Sequence, residues 1–307
     1  MIGINELMQR ANIKRAVRAL LHEHNLIEVD VPALCPTVCP DVAVEPISLD
    51  VHHKKYYLQP SPEFCLKKVL SKLPVDMYSL AAAYRADRSS PLHQYEFLML
   101  EMYLIGADKY HALQDLSVKV MQCCLGDFTV RRRRYVDLWK DIFHVEYSGN
   151  KSDLMDLLNR YEIDYNSDWS AYALEDLLFG LICQPQLGLH GICDIIDGFP
   201  IQHAALAKID NQAGYALRFE IFWHGVEIAN GYDELTDKMQ NQLRMENWMA
   251  QRRLNNQQPC EPLDENFLEA LDSFPDSSGV AIGFERLMMF GLQKKSLKES
   301  MVFYWES

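Results

Sequence analysis

The sequence predicts an α+β fold, an antiparallel β-sheet flanked by helices. Three observations point there. Residues 13–25 have helical periodicity, with Ile13, Ala16, Val17, Leu20 and Leu21 on one face. Residues 219–223 and 226–229 are rich in β-branched and aromatic side chains, and His224-Gly225 between them is a candidate two-residue hairpin turn. Strand-like segments also lie on both sides of a helical insertion at about 150–182, so the sheet must be assembled from distant parts of the chain.

The remaining elements follow in order. Pro32, Pro36 and Pro40 break the chain into extended pieces after the first helix. A helix over 62–72 has Ser61 as its N-cap and Pro62 at its first position. Residues 110–125 form another helix. Residues 236–255 form a long polar one, following a turn at Asn230-Gly231 and then Glu234. No internal repeat or low-complexity tract interrupts the pattern. At 307 residues the chain can bury a large core, as one domain or two, and a single domain spanning 1–307 is expected.

Charge and composition narrow the partners. Thirty basic residues against 43 acidic ones give a formal net charge of −13, which opposes unspecific nucleic-acid binding. The one basic run, Arg131, Arg132, Arg133 and Arg134, reads either as a partner-docking patch or as a solvated strand edge. No apolar run reaches the roughly 18 residues of a membrane helix, and no signal pattern opens the chain, so a cytoplasmic protein is expected. Eight cysteines include Cys123-Cys124 and Cys35-x-x-x-Cys39 without repeated metal-ligand spacing, which reads as reduced, buried thiols.

Glu220, Glu227 and Glu234 stand at seven-residue intervals in an otherwise largely apolar stretch. The hairpin folds Glu220 and Glu227 toward each other. Two converging carboxylates need a cation or a shared proton, and oxygen-only ligands suit Mg²⁺. Glu234 then faces a substrate amine; solvated acids on a surface hairpin are the bland alternative.

Further segments carry a resemblance. Residues 83–87 read Ala-Tyr-Arg-Ala-Asp, and 93–103 read His-Gln-Tyr-Glu-Phe-Leu-Met-Leu-Glu-Met-Tyr. Residues 277–287 form a small-residue strand whose glycines open onto a helix with Arg286. Gln59-Pro60-Ser61-Pro62-Glu63 and Glu227-Ile228-Ala229-Asn230-Gly231 lie between. In order and spacing, from about Ile13 to Trp305, these segments resemble the class II aminoacyl-tRNA synthetases of the lysine type. Within that family they are most similar to the short paralogues that ligate β-lysine to elongation factor P.

The resemblance implies a class II catalytic core that uses ATP and Mg²⁺ to activate lysine or (R)-β-lysine as an aminoacyl-adenylate. Arg85 and Arg286 are the implied catalytic residues, with Arg85 bridging the substrate carboxylate and the α-phosphate. ATP is implied to contact Arg85, Ala86, Asp87, Gln94, Phe97, Glu227, Ile228, Gly283 and Arg286, with Phe97 stacked on the adenine. Glu220 and Glu227 hold the metal. Ser61, Pro62, Glu63, Glu101, Tyr103, Glu234 and Ala281 form the substrate pocket: Glu63 meets the amine near the carboxylate, and Tyr103 with Glu234 meets the distal ammonium. Ala281 stands where the tRNA synthetases have glycine and the ligases have alanine.

The first motif begins almost at residue 13, leaving no room for the anticodon-binding barrel of lysyl-tRNA synthetases, so tRNA binding is not expected. That motif also implies a homodimer. Departures cluster in the second motif. Asp87 is one methylene shorter than the family's glutamate, Gln94-Tyr95 replaces Asn-Pro, and the loop arginine before the histidine is absent, leaving Arg88 as its substitute. Three readings stay open at this point: a ligase acting on elongation factor P, a lysine-activating enzyme loading a tRNA or another carrier, and a non-catalytic regulatory relative.

Overall fold

The computed structural model describes residues 2–87 and 90–305. The chain opens with helix α1 (Ile4–Glu23), short strands β1 (Ile27–Glu28) and β2 (Leu34–Cys35), and a hairpin of β3 (Ile47–Val51) and β4 (Lys54–Leu58). Helix α2 (Glu63–Leu70) leads to the long hairpin of β5 (Met77–Tyr84) and β6 (Glu96–Ile105), then to α3 (Tyr110–Leu125). Next come β7 (Thr129–Arg134), α4 (Tyr135–Leu138), α5 (Lys151–Arg160), α6 (Ala171–Leu178), β8 (Ile192–Phe199) and β9 (Ile209–Asp210). Strands β10 (Tyr215–Trp223) and β11 (Val226–Asp233) precede α7 (Lys238–Leu254), α8 (Glu265–Ala270), β12 (Ser277–Gly283), α9 (Phe284–Gly291) and α10 (Leu297–Ser300).

These elements fall into two compact units. The first runs up to Gly126 and resumes at Asp233; the second is Asp127–Tyr232. In the first unit the strands lie in the order β1-β5-β6-β12, with β5, β6 and β12 antiparallel and β1 parallel to β5. A small separate sheet has the order β2-β4-β3. Its β3–β4 turn, His52-His53, has positive φ at both residues, the handedness that a tight hairpin requires. Helix α1 starts nine residues earlier than the sequence predicts. The reason is Arg10, which continues the inward stripe of Ile13, Val17 and Leu21 and is invisible to apolar periodicity. Its guanidinium makes a buried two-pronged contact with Glu285 on α9, at 2.9 and 2.8 Å, and donates to the Ser300 carbonyl.

In the second unit the order is β11-β10-β8-β7, with β9 beside β10. β7 runs parallel to β8 and the other pairs are antiparallel. The expected hairpin turn is present: His224 and Gly225 have φ of 50° and 75°. The helical insertion appears as α5 and α6, with α6 running on into a π-helical turn, Phe179–Cys183. Leu154, Leu158, Leu174 and Leu178 from these helices join Tyr135, Trp139, Phe143 and the strand residues Ile196, Phe199 and Phe222 in one buried cluster.

One expectation fails here. Asn230-Gly231 is not a turn but the continuation of β11, with Asn230 opposite Glu220 and Gly231 opposite Phe219. The Asn230 side chain accepts from Arg218 Nε at 3.3 Å, and pairing along the whole of β10 overrides the local turn preference. The arginine run is strand β7 at the sheet edge. Arg131 pairs with buried Asp194 at 2.6 and 2.8 Å, Arg133 with Asp141 at 2.7 Å, and Arg134 lies 4.3 Å over the Tyr215 ring. These three arginines engage groups of their own unit. All eight cysteines are free thiols, four of them buried. Among the described residues no helix is long and apolar enough to cross a membrane.

Candidate active site

The first unit gathers Glu63, Glu101, Tyr103, Glu234, Gly279 and Ala281 from four places in the chain. Glu101 and Tyr103 alternate onto one face of β6. In the neighbouring strand Ala281 stands opposite Glu101 and Gly279 opposite Tyr103, so all four share a face. Glu234 follows directly on β11, and its backbone N–H donates to the Ser277 carbonyl at 3.0 Å. Glu63 opens α2.

Hydrogen bonds knit these groups together. The Tyr103 hydroxyl donates to one oxygen of Glu101 and the Ser61 hydroxyl to the other, both at 2.7 Å. Ser61 Oγ also accepts from the Glu63 N–H at 3.3 Å, but the helix starts one residue later than the sequence predicts, with Pro62 rather than Ser61 at its N-cap. The Lys67 ammonium lies 2.6 Å from Glu63 Oε1 and 2.6 Å from Glu234 Oε2. Geometry separates these two contacts. The first is a directed hydrogen bond. The second is an ion pair at the same distance whose angles fall short of a directed bond, and it commits this Glu234 oxygen to Lys67.

Burial makes the cluster electrostatically tense. Glu234 is 1 % exposed and Glu101 2 %. Loss of hydration, together with repulsion from Glu63, pushes Glu101 up to about 8 despite the two hydroxyl donors. Burial likewise raises Glu234 to about 7 against the pull of Lys67. Burial and the surrounding acids raise the Tyr103 phenol, which therefore stays a neutral donor. Gly279 leaves the room these groups occupy. A Cβ there would fall 2.3 Å from Glu234 Oε1 and 2.4 Å from the Tyr103 ring. A cavity of about 100 Å³ adjoins this corner, lined in part by Ser61, Glu63, Cys39 and Lys68.

The second-motif residues lie in the same unit. Arg85 follows β5; its Nε donates to the Pro60 carbonyl at 3.1 Å, and its guanidinium sits 5.6 Å from the centre of the half-buried Phe97 ring. Ala86 N–H donates to the Glu45 carbonyl, and Asp87 beside it is half-buried. Gln94 is buried; its amide donates to the Trp305 carbonyl and its carbonyl accepts from Tyr95 N–H, so these groups are committed to the fold. Gly283 precedes α9, which carries Arg286. Arg286 Nη2 is 2.8 Å from His93 Nε2. Because arginine only donates, this His93 nitrogen accepts, and the proton sits on Nδ1, which donates to Ser90 Oγ at 2.7 Å. Arg88 lies outside the described residues.

In the second unit β10 and β11 carry the remaining acids. A register shift between Ile221 and Phe222 puts Glu227 opposite Phe222, one strand-face position along from Glu220. Arg218, two residues before Glu220, ion-pairs with it and donates to the His203 carbonyl at 2.7 Å. Burial raises Glu220 to about 7, and the charges of Glu227 and Asp176 add to the effect while Arg218 opposes it. Ile228, the residue after Glu227 on β11, is buried. Among the described residues no group of three or more His, Cys, Asp or Glu side chains forms a cage for a metal. A pair of carboxylates on neighbouring strands fits Mg²⁺, which takes one or two carboxylates and completes its shell with phosphate and water.

Sequence reasoning missed Lys67, Gly279 and Arg218. Lys67 had a signal, its position four residues after Glu63 on a helix. Arg218 stands on the same strand face as Glu220, which the two-residue period reveals.

The fold and these sites define a class II synthetase core. The sequence profile of the class II tRNA synthetases (D, K and N) matches residues 4–305, and the chain belongs to this family. An elongation factor P–(R)-β-lysine ligase of Vibrio atlanticus (strain LGP32) is 32 % identical, over 94 % of this chain and 92 % of the relative. A ligase of the same name from Proteus mirabilis (strain HI4320) is 30 % identical, over 98 % and 95 %. A homolog of that ligase from Aquifex aeolicus (strain VF5) is 31 % identical, over 92 % and 93 %.

The Gly279 contact generates a test. Gly279→Ala drives a methyl group into Glu234 and Tyr103, and overpacking of this kind costs about 1–3 kcal/mol of stability. It is expected to lower the melting temperature and to remove amino-acid binding, read by calorimetry with lysine. Unchanged affinity would separate Gly279 from the pocket.

Proposed function

We propose that the protein activates lysine or (R)-β-lysine with ATP as an aminoacyl-adenylate, releasing pyrophosphate, and transfers the acyl group to a lysine side chain of elongation factor P. The observation that carries this reading is the acidic cluster of Glu63, Glu101 and Glu234 with one internal ammonium, Lys67. Three carboxylates and one lysine leave two negative charges unbalanced when all are ionised. A lysine-like molecule carries two ammonium groups, and burying either without an acceptor costs several kcal/mol. The pocket supplies matching acceptors in the carboxylates of Glu63 and Glu234, which share one internal cation. The relatives' names support elongation factor P as the acceptor, and the net charge of −13 argues against tRNA.

In this reading Glu63 takes the amine near the carboxylate, while Glu234 and Tyr103 take the distal ammonium. Arg85 holds the substrate carboxylate, using the planar fork that suits carboxylate and phosphate alike. Arg286, fixed by His93, meets the nucleotide phosphates. Glu220 and Glu227 would hold Mg²⁺, which supplies charge neutralisation for the polyphosphate. Phe97 offers a ring face for the adenine. We further propose that the two units act as a single catalytic domain, that the protein works in the cytoplasm, and that it is a homodimer built through α1 and the segment ending at Pro32. Lysine-dependent exchange of pyrophosphate into ATP tests activation. Transfer to purified elongation factor P rather than tRNA tests the acceptor.

Arg85→Ala and Glu227→Ala are each expected to abolish exchange, since loss of a transition-state charge contact costs around 3 kcal/mol, more than a hundredfold in rate. Glu234→Gln instead relaxes the preference for a basic side chain, seen as a smaller ratio of lysine to norleucine activity. Near wild-type exchange in Arg85→Ala would overturn these roles.

Ala281 stands opposite Glu101, on the pocket face. Ala281→Gly is expected to raise activity toward α-lysine relative to β-lysine by about 1–3 kcal/mol, the range of one methylene-sized change. An unchanged ratio of specificity constants with a lowered melting temperature would make Ala281 a packing residue. Light scattering at micromolar concentration checks the dimer: a fully active species at the 35.5 kDa of one chain would rule it out.

A further inference from the structure

Lys67 is not an ordinary helix lysine. It sits one turn after Glu63 on α2, and its side chain is only 3 % exposed. Lysines are almost never buried without partners, and this one has two carboxylates within 2.6 Å, one from its own helix and one from the segment after β11. Glu101, the third acid, is held by neutral hydroxyls of Ser61 and Tyr103. Lys67 is thus the one positively charged side chain in ion-pair contact with Glu63 and Glu234 among the described residues.

We propose that Lys67 is a built-in counter-ion, a positioning residue that holds Glu63 and Glu234 in place for a substrate with two ammonium groups and sets how many cationic groups the pocket takes. This rests on the reading of the pocket as a lysine-type site. With Lys67 present, the two acids are fixed by a short tether to a helix and share one cation, which leaves acceptor capacity on both. Without it, buried Glu234 faces the Glu63 carboxylate with no counter-ion and holds its proton more tightly. Protonated acids no longer attract ammonium groups. The titratable and charged groups around this point are Glu63 and Lys67 from α2, Glu101 and Tyr103 from β6, Asp233 and Glu234 at the end of β11, and the Cys39 thiol. Lys67 lowers the proton affinity of both Glu234 and Glu101, while the other acids raise it. Removing Lys67 therefore moves the ionisation of the pocket to higher pH.

The experiment compares wild type, Lys67→Met and Lys67→Arg in lysine-dependent pyrophosphate exchange between pH 6 and 9, with melting temperatures for each. Exchange by the wild-type protein tests the functional reading on its own; if it fails, lysine binding followed by calorimetry over the same pH range carries the comparison. Lys67→Met is expected to raise KM for lysine at neutral pH by roughly thirtyfold or more, with kcat changed only a few-fold. The acid limb of its kcat/KM profile should move upward by about one pH unit, so that activity recovers toward pH 9. Lys67→Arg keeps the charge and should keep the wild-type limb. A uniform, pH-independent loss in Lys67→Met would overturn the proposal. Should Lys67→Met not fold, a shifted limb in Lys67→Arg would overturn it and an unshifted one would support it.

Discussion

Carboxylates crowded into a dry place repel one another, and that constraint organises the acidic cluster of the first unit. Every feature around Glu63, Glu101 and Glu234 reduces the repulsion by a different means. Lys67 supplies a full charge to two of them. Ser61 and Tyr103 supply hydroxyl donors to the third. What these partners leave unbalanced is still enough to hold Glu101 and Glu234 well above the ordinary carboxylate range. A site in this condition gains from admitting cations, because an ammonium group relieves the strain that binding a neutral molecule would leave untouched. The charge that favours a cation at this place is in this sense built into the fold.

The same logic recurs in the second unit with different chemistry. Glu220 is raised by burial and by Glu227 and Asp176, and Arg218 only partly offsets them. Here the acceptors are a pair on adjacent strands rather than a closed pocket. That geometry suits a divalent ion sharing its shell with phosphate better than an organic cation. The two clusters differ mainly in what surrounds the carboxylates: hydroxyls and a tethered amine in one, a guanidinium and a strand edge pairing in the other.

Much of this was legible in the sequence wherever a short-range period carried it. Glu101 and Tyr103 on one strand face, the His224-Gly225 turn, the 110–125 helix and the insertion helices follow from two- and four-residue spacing. The failures are of another kind. Asn230-Gly231 looks like a turn locally but is held straight by its partner strand. Lys67 looks like a solvent-facing residue because lysines usually are, and its second partner, Glu234, is distant in sequence. Among the glycines of the small-residue strand, Gly279 matters for the side chains across from it, and Tyr103 lies far away in sequence. Local pattern identifies elements; long-range pairing decides which residue ends up opposite which.

The first unit is discontinuous, made from residues up to Gly126 and from Asp233 onward. Its pocket draws Glu63 and Glu101 from the early part and Glu234 and Gly279 from the late part. Such pairings bear a large loop-closure entropy and form slowly. A nascent chain therefore leaves Glu101 and Tyr103 of β6 without their β12 neighbours for as long as β12 is still inside the ribosome. The chain must be made at least as far as Gly279 and Ala281 before the corner around Glu101 and Tyr103 can close, so a shorter nascent chain carries these strands without the assembled acidic cluster.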